Sequence, residues 1–306
     1  MPQIIQIHDL DQPALQLYAQ RRENELKHAC EPAPGYFIAE SMKVIRRALA
    51  AGYQPVSFLC EERYIQEIQN LVSIECSRTV SVPARMECQA AGLHQTFDQD
   101  IIIYAGDSSV LEQIAGYHLT GGALALLRRR VQADPDEFLS NNGQSSHAYR
   151  RIAVLEHVVN PTNLGAIVRS AAALGMDAVL FSPDCADPLY RRAIRVSMGT
   201  IFQIPWTFAG TDPDDWYCSG VKKLREAGWH TVAMALREDS AVPDDPRFQT
   251  YEKLAVIVGT EGEGLADETI RQCDYTVMIP MTHGVDSLNV GAAAAVAFWN
   301  FGIISE

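Results

Sequence analysis

Hydrophobic positions along the chain fall into short apolar runs alternating with segments whose apolar residues recur at helical spacing. The alternation is clearest from Arg151 onward. There RIAVLEHVV predicts a strand, TNLGAIVRSAAALG a helix closed by Gly175, and DAVLF a second strand followed by the turn SPDCADP. PLYRRAIRVSMG and WYCSGVKKLREAG predict helices, with the extended run FQIPWTF between them. WHTVAMAL, KLAVIVG and YTVMIPM follow as strands, LADETIRQC as a short helix before the last of them, and SLNVGAAAAVAFWNFGI as a long apolar helix. Strands that are apolar at nearly every position have no face to offer water, so a parallel sheet covered on both sides by helices is expected.

The first half carries a similar alternation on a smaller scale. FIAE, PVSFLC, IIIYAG and ALALLRR are strand-like, and SMKVIRRALAAG is a helix ending in a C-cap at Gly52. These runs define an α/β domain over residues 35–130. Ahead of it, LDQPALQLYAQRRENELKHA has Leu15, Leu17, Tyr18 and Leu26 on one broad apolar face, which predicts a helical extension within residues 1–34. Residues 131–150 are polar, contain Pro135 and Gly143, and have little periodicity. They are the expected linker to a C-terminal domain over 151–306.

Composition fits this plan: 306 residues, 47% hydrophobic and 21% charged, are enough for two globular domains. The charge narrows it. Against 38 acidic side chains stand 25 Lys and Arg, a net charge of −13, and both halves are acidic. Bulk electrostatic attraction to nucleic acid is thereby excluded, and any contact with it must come from local cationic clusters. Seven cysteines without a CxxC pair, and no His pair at ligand spacing, point away from disulfides and zinc and toward a reducing cytoplasm. No metal is expected. No basic segment followed by an apolar stretch opens the chain, and no window approaches 18 apolar residues, so no leader or membrane span is expected.

In a parallel sheet, ligands sit at the carboxyl ends of the strands. Three loops there combine glycine with small polar residues just before a helix: NPTNLGAIVR (160–169), GTEGEGL (259–265) and MTHGVDSLNVGAA (281–293). Glycines at 259, 262 and 264 permit close approach of backbone to a ligand, but the spacing is neither GxGxxG nor a phosphate-binding GxxxxGK[ST]. Glu261 within the loop would repel a phosphate, so a cationic or hydroxyl-bearing ligand fits better. Ser287 and Asn289 stand where a helix N-cap is needed, and capping accounts for them as well as function does. Arg169 lies beside the apolar stripe Leu164, Ile167, Val168, Ala171 and Ala172 on an otherwise uncharged helix. His283 reads as a surface or packing residue.

NPTNLGAIVRSAAALG, VGTEGEGL and IPMTHGVDSLNVGAAAAVAFW, in that order, resemble the three motifs of the SpoU/TrmH class of RNA 2'-O-ribose methyltransferases in the SPOUT superfamily. The likeness covers residues 151 to 306. AESMKVIRRALAAG and LTGGALALLRR are similar to the ribosomal-protein-like RNA-binding domain often fused in front of it. The resemblance implies S-adenosylmethionine as methyl donor and a deep trefoil knot in the C-terminal third. It also implies structured RNA as substrate, with rRNA favoured over tRNA, and an obligate homodimer in which Arg169 reaches the neighbouring subunit's site. On the matching positions, Gly259, Ile279, Met281 and Leu288 hold the donor, and Asn163, Arg169, Glu261, Ser287 and Asn289 form the catalytic set. Gly291 departs from the Ser that the family often carries there, with altered packing near the donor as the expected result.

An arginine is nearly always protonated, so Arg169 suits stabilising a developing alkoxide or positioning a phosphate better than removing a proton. For RNA itself the candidates are Arg191, Arg192 and Arg195, which share a helix, and Arg128, Arg129 and Arg130 at the end of the first domain; Arg150 and Arg151 lie at the linker exit. Two other readings stay open on the residues. One is an RNA-binding or ribosome-assembly protein that keeps the fold without catalysis, and the other a generic nucleotide-binding α/β enzyme.

Overall fold

The computed structural model describes residues 2–10, 12–19, 22–76, 101–115, 122–140, 148–237 and 240–303. The chain forms two compact units, Met1–Val131 with Leu189–Phe202, and Gln132–Pro188 with Gln203–Glu306.

The first unit is built on five strands: β1 (Gln3–Gln6), β2 (Tyr36–Glu40), β3 (Pro55–Glu61), β4 (Ile102–Gly106) and β5 (Ala123–Arg128), in the order β1-β4-β3-β5-β2. β1, β4 and β3 run parallel, while β5 pairs antiparallel with both β3 and β2. The four apolar runs of the sequence are β2 to β5. β1 (QIIQ) is an added edge, and the segment behind it is not one helix but short turns of helix at Pro13–Leu15, Gln16–Ala19 and Glu23–Lys27. Leu15, Leu17, Tyr18 and Leu26 are buried all the same, and they enter this unit's core beside Leu59, Leu124 and Leu126. The described part of this segment thus contributes to the unit's core, where an appended extension was expected.

The insertion Leu189–Phe202 also belongs here, although its sequence lies between two strands of the second unit. Its helix Arg191–Val196 packs beside β2. Phe202 meets Phe37 and Tyr53 with ring centroids 5.8 and 5.2 Å apart. Arg191 Nε donates to Glu40 Oε2 at 2.8 Å, its backbone N–H is bound by Glu23, and Glu40 is 4% exposed.

The second unit is a six-stranded, wholly parallel sheet of β6 (Arg151–Leu155), β7 (Ala178–Phe181), β8 (Trp206–Phe208), β9 (His230–Met234), β10 (Leu254–Val258) and β11 (Tyr275–Val277). The order is β11-β9-β10-β6-β7-β8. The chain leaves β6 toward β7 and β8, then crosses to lay the last three strands on its other side. Strand order therefore reverses between β6 and β10, and a crevice outside their carboxyl ends is the geometric consequence. β6 and β10 are buried along their whole length, β10 being apolar throughout and β6 apolar after Arg151.

Helices Pro161–Ala173 and Val290–Phe301 pack against each other on the sheet. The first ends where Leu174 gives way to Gly175 at φ +78°, and a Cβ there would lie 2.4 Å from the Ile303 carbonyl oxygen. Much of the expected linker folds into this unit. Pro135–Ser140 is helical, and Phe138 and Leu139 join Tyr149 and Trp229 in the core. Residues 141–147 of that linker lie outside the described residues. Arg151, expected as an exposed linker cation, is instead 1% exposed and donates to the carbonyls of Phe301, Arg150 and Tyr251 at 2.8, 2.9 and 3.1 Å. Its guanidinium thus ties the end of the last helix to the segments that precede β6 and β10.

Among the described residues no helix is long and apolar enough to cross a membrane, and no group of His, Cys, Asp and Glu is placed to hold a metal ion.

Candidate functional site

Asn160 caps the helix Pro161–Ala173, its side chain accepting from the Thr162 N–H at 2.8 Å, with Pro161 in the first turn where no N–H is needed. The cap sets the angle of that first turn and so the position of Asn163, which is 9% exposed. From there Asn163 Nδ2 donates to Glu261 Oε2 at 2.8 Å. The last helix contributes Asn289, whose Nδ2 donates to Asn163 Oδ1 and Glu261 Oε1, each at 3.2 Å. Asn289 also caps its own helix, its Oδ1 accepting from the Gly291 N–H at 3.0 Å. Three residues far apart in sequence, one from each loop, are thus tied into one network at the β6–β10 switch point.

The loop carrying Glu261 is shaped by glycine and by a buried acid. A Cβ on Gly259 would lie 2.3 Å from the Gly264 carbonyl carbon and 2.5 Å from the Leu265 nitrogen, so the loop folds back only on glycine. Glu156, 1% exposed at the end of β6, accepts from Trp216 Nε1 at 2.8 Å, the Ala266 N–H at 2.7 Å and Thr269 Oγ1 at 2.6 Å. It anchors the far end of the loop. The sequence reading missed Glu156, although a lone carboxylate closing the apolar run RIAVL was its signal.

Beside the network lies an open cleft of about 400 Å3. Gly259, Ile279, Met281 and Leu288, the four expected donor-binding residues, all line it, as do Glu261 and Ser287. So do Met234 at the end of β9 and Ala235, Leu236 and Arg237 after it, a fourth strand-end loop that the sequence reading passed over. Its sign was its position at a carboxyl edge. Gly291 is buried, and a Cβ there would stand 3.1 Å from Asn289 Oδ1 and 3.2 Å from the Ala166 Cβ. Glycine at this position therefore lets the two long helices close on the network.

Arg169 is not part of this arrangement. Six residues beyond Asn163, it lies about 120° further round the helix. It is exposed, with no hydrogen-bond or ion-pair partner among the described residues. The remaining arginines are largely engaged inside their own unit. Arg191 is held by Glu40, with its side chain 20% exposed, which removes it from the set available to a phosphate. Arg128 stacks over Tyr36 at 5.8 Å, and Arg129 Nε donates to the Tyr36 carbonyl at 3.0 Å. Arg130 lies 4.5 Å from the Tyr53 ring centroid and donates to the Ala51 carbonyl at 2.6 Å. Arg192 is exposed and Arg195 half-buried.

The SpoU rRNA Methylase family model matches residues 150–299. An uncharacterized tRNA/rRNA methyltransferase of Mycobacterium bovis is 32% identical over 292 residues, 95% of this chain and 89% of its own length. The 23S rRNA (guanosine-2'-O-)-methyltransferase RlmB of Acinetobacter baylyi is 30% identical over 195 residues, 62% of this chain and 73% of its own. Among solved structures, the AdoMet-bound rRNA methyltransferase of Sinorhizobium meliloti superposes with a TM-score of 0.71 at 19% identity, covering 97% of both chains. With the motifs, the parallel sheet and relatives matched over nearly the whole length, the chain belongs to the SpoU family of RNA methyltransferases.

Proposed function

We propose that this protein transfers a methyl group from S-adenosylmethionine to a ribose 2'-hydroxyl in structured RNA, with rRNA as the favoured substrate. The observation that carries the reading is the Asn163–Glu261–Asn289 network at the mouth of a cleft whose lining matches the donor-binding positions. The cleft falls within the roughly 300–1,000 Å3 of small-molecule sites, and the Gly259 backbone cradle, which a Cβ would fill, fits a ligand held by main-chain groups. Glu261 suits a cationic sulfonium compound and disfavours a phosphate.

The donor supplies an electrophilic methyl group when bound. The chain's own residues then have two tasks, to orient the ribose and to manage its proton. Asn163 and Asn289 are held by Glu261 with their amides fixed, so hydrogen bonds to the ribose cost little reorganisation. Ser287 adds a hydroxyl on the cleft wall. Arg169 acts from a second copy of the chain, stabilising the alkoxide as the 2'-hydroxyl gives up its proton to solvent. This requires the homodimer. Its support is that Arg169 lies away from the network of its own chain, while Trp299 and Val296, 66% and 37% exposed, offer apolar surface on the last helix for a partner to cover. The loops 259–265 and 281–289 belong to the trefoil knot of this reading. The first unit is its RNA-recognition module, Arg192, Arg195 and Arg130 its phosphate contacts, and the cytoplasm its location.

Incubation with radiolabelled S-adenosylmethionine and RNA from cells lacking the gene tests the reading. Wild-type protein should label RNA, and Arg169→Ala should lose roughly 10²-fold or more of the rate with donor binding retained. A protein that binds no S-adenosylmethionine in calorimetry would instead favour the non-catalytic RNA-binding reading.

A further inference from the structure

A second group of polar side chains converges at the same edge of the sheet, at the carboxyl ends of β6 and β7, and the reaction as described does not use it. His157, two residues beyond β6, has φ +54°. Its Nδ1 donates to Asp184 Oδ2 at 2.8 Å, and that carboxylate also accepts from Tyr217 at 2.7 Å and from the Ser182 hydroxyl. The loops are laced further by the His157 N–H to Ser182 Oγ at 3.0 Å and the Val158 N–H to Cys185 Sγ at 3.3 Å. Burial pushes the Asp184 carboxyl up, and its three donors outweigh that and hold it below the ordinary carboxylate range. The acid is 17% exposed but the imidazole 43%, and Nε2 has no partner among the described residues.

The left-handed backbone costs a residue with a Cβ roughly 1 kcal/mol that glycine would not incur. A turn alone would be served better by glycine. An imidazole at that position, with one nitrogen fixed by a carboxylate and the other presented outward, marks a side chain with a task. Asn160, the cap of the helix that carries Asn163, is three residues away, about 10 Å at full extension.

We propose that His157 contacts the sugar–phosphate backbone of the substrate RNA beside the methylated ribose, through Nε2, with Asp184 as its positioning residue. This inference rests on the RNA methyltransferase reading above. With Nδ1–H given to Asp184, Nε2 either accepts from a ribose hydroxyl or, when protonated, donates to a phosphate oxygen; both bonds end on the backbone and not on a base.

The test compares wild type with His157→Gly and His157→Asn, two residues that accept a left-handed backbone and lack the ring. Each is assayed with radiolabelled S-adenosylmethionine on total RNA from the source organism deleted for the gene. The expected result is a KM for RNA raised about tenfold, as for loss of a hydrogen bond to a charged group, with kcat within twofold, S-adenosylmethionine affinity unchanged, and a Tm for His157→Gly at or above wild type. An unchanged KM in both variants overturns the proposal, and so does a loss confined to kcat, which would place the imidazole in the chemistry. No incorporation by wild-type protein would overturn the underlying reading and this inference with it.

Discussion

Asn289 illustrates how one residue serves two ends. Its Oδ1 caps the last helix while its Nδ2 holds Asn163 and Glu261. The sequence leaves capping and function as alternatives, and the structure shows that capping leaves the amide nitrogen available to a network of its own. Asn163→Ala removes a donor to Glu261 and strands part of that carboxylate. Methyl transfer should fall roughly 10²-fold while stability drops by only about 1–2 kcal/mol, a contrast that activity assays and chemical denaturation check together. Asp184 gives a pH prediction. Its folded pKa lies below its ordinary value of 3.8, so its contribution is fully present above that pH and is lost as pH falls through the folded value. Asp184→Asn should flatten the acid limb of a Tm-against-pH curve below about pH 4; an unchanged slope would contradict the assignment. The arginines were the least legible residues. Arg151 and Arg191 look like surface cations in sequence, because their partners, the carbonyl of Phe301 and the carboxylate of Glu40, lie 150 and 151 residues away.

At the scale of elements, the central strands were readable because they are apolar runs buried on both faces, and the loops that follow them were readable because ligands gather at carboxyl ends. β1 was not, since QIIQ is short and is recruited as an edge by pairing with β4. The N-terminal apolar positions, read as one face of an appended helix, are buried in the first unit's core and the single helix is broken into turns, tertiary burial outweighing local propensity. The insertion Leu189–Phe202 was equally hidden, for nothing local tells which core Phe202 will join. Its anchor is testable. Glu40→Ala leaves the guanidinium of Arg191 without its carboxylate in a poorly solvated place, and should cost roughly 3 kcal/mol, read by denaturant unfolding. Gly175→Ala puts a methyl group against the Ile303 carbonyl at a positive φ, and should lower Tm by several degrees.

For the whole molecule, the net charge of −13 constrains how RNA is held. With Arg191 and Arg151 turned inward, fewer of the candidate arginines reach phosphates, so RNA affinity should decline less steeply with salt than the full candidate set would give, and shape must carry much of the recognition. The two units share the chain intimately: it passes from one to the other after Val131, Pro188 and Phe202. A fragment starting at Gln132 would therefore leave Phe202 without the ring partners Phe37 and Tyr53. It should aggregate in size-exclusion chromatography where the full chain does not. Methylation of a ribose hydroxyl is read out by incubating the protein with isotopically labelled S-adenosylmethionine and RNA from cells lacking the gene, then digesting the RNA to nucleosides for mass spectrometry. Label should appear in a single 2'-O-methylnucleoside and be absent with Asn289→Ala. Label on a base, or none with wild-type protein, would rule out ribose methylation by this protein.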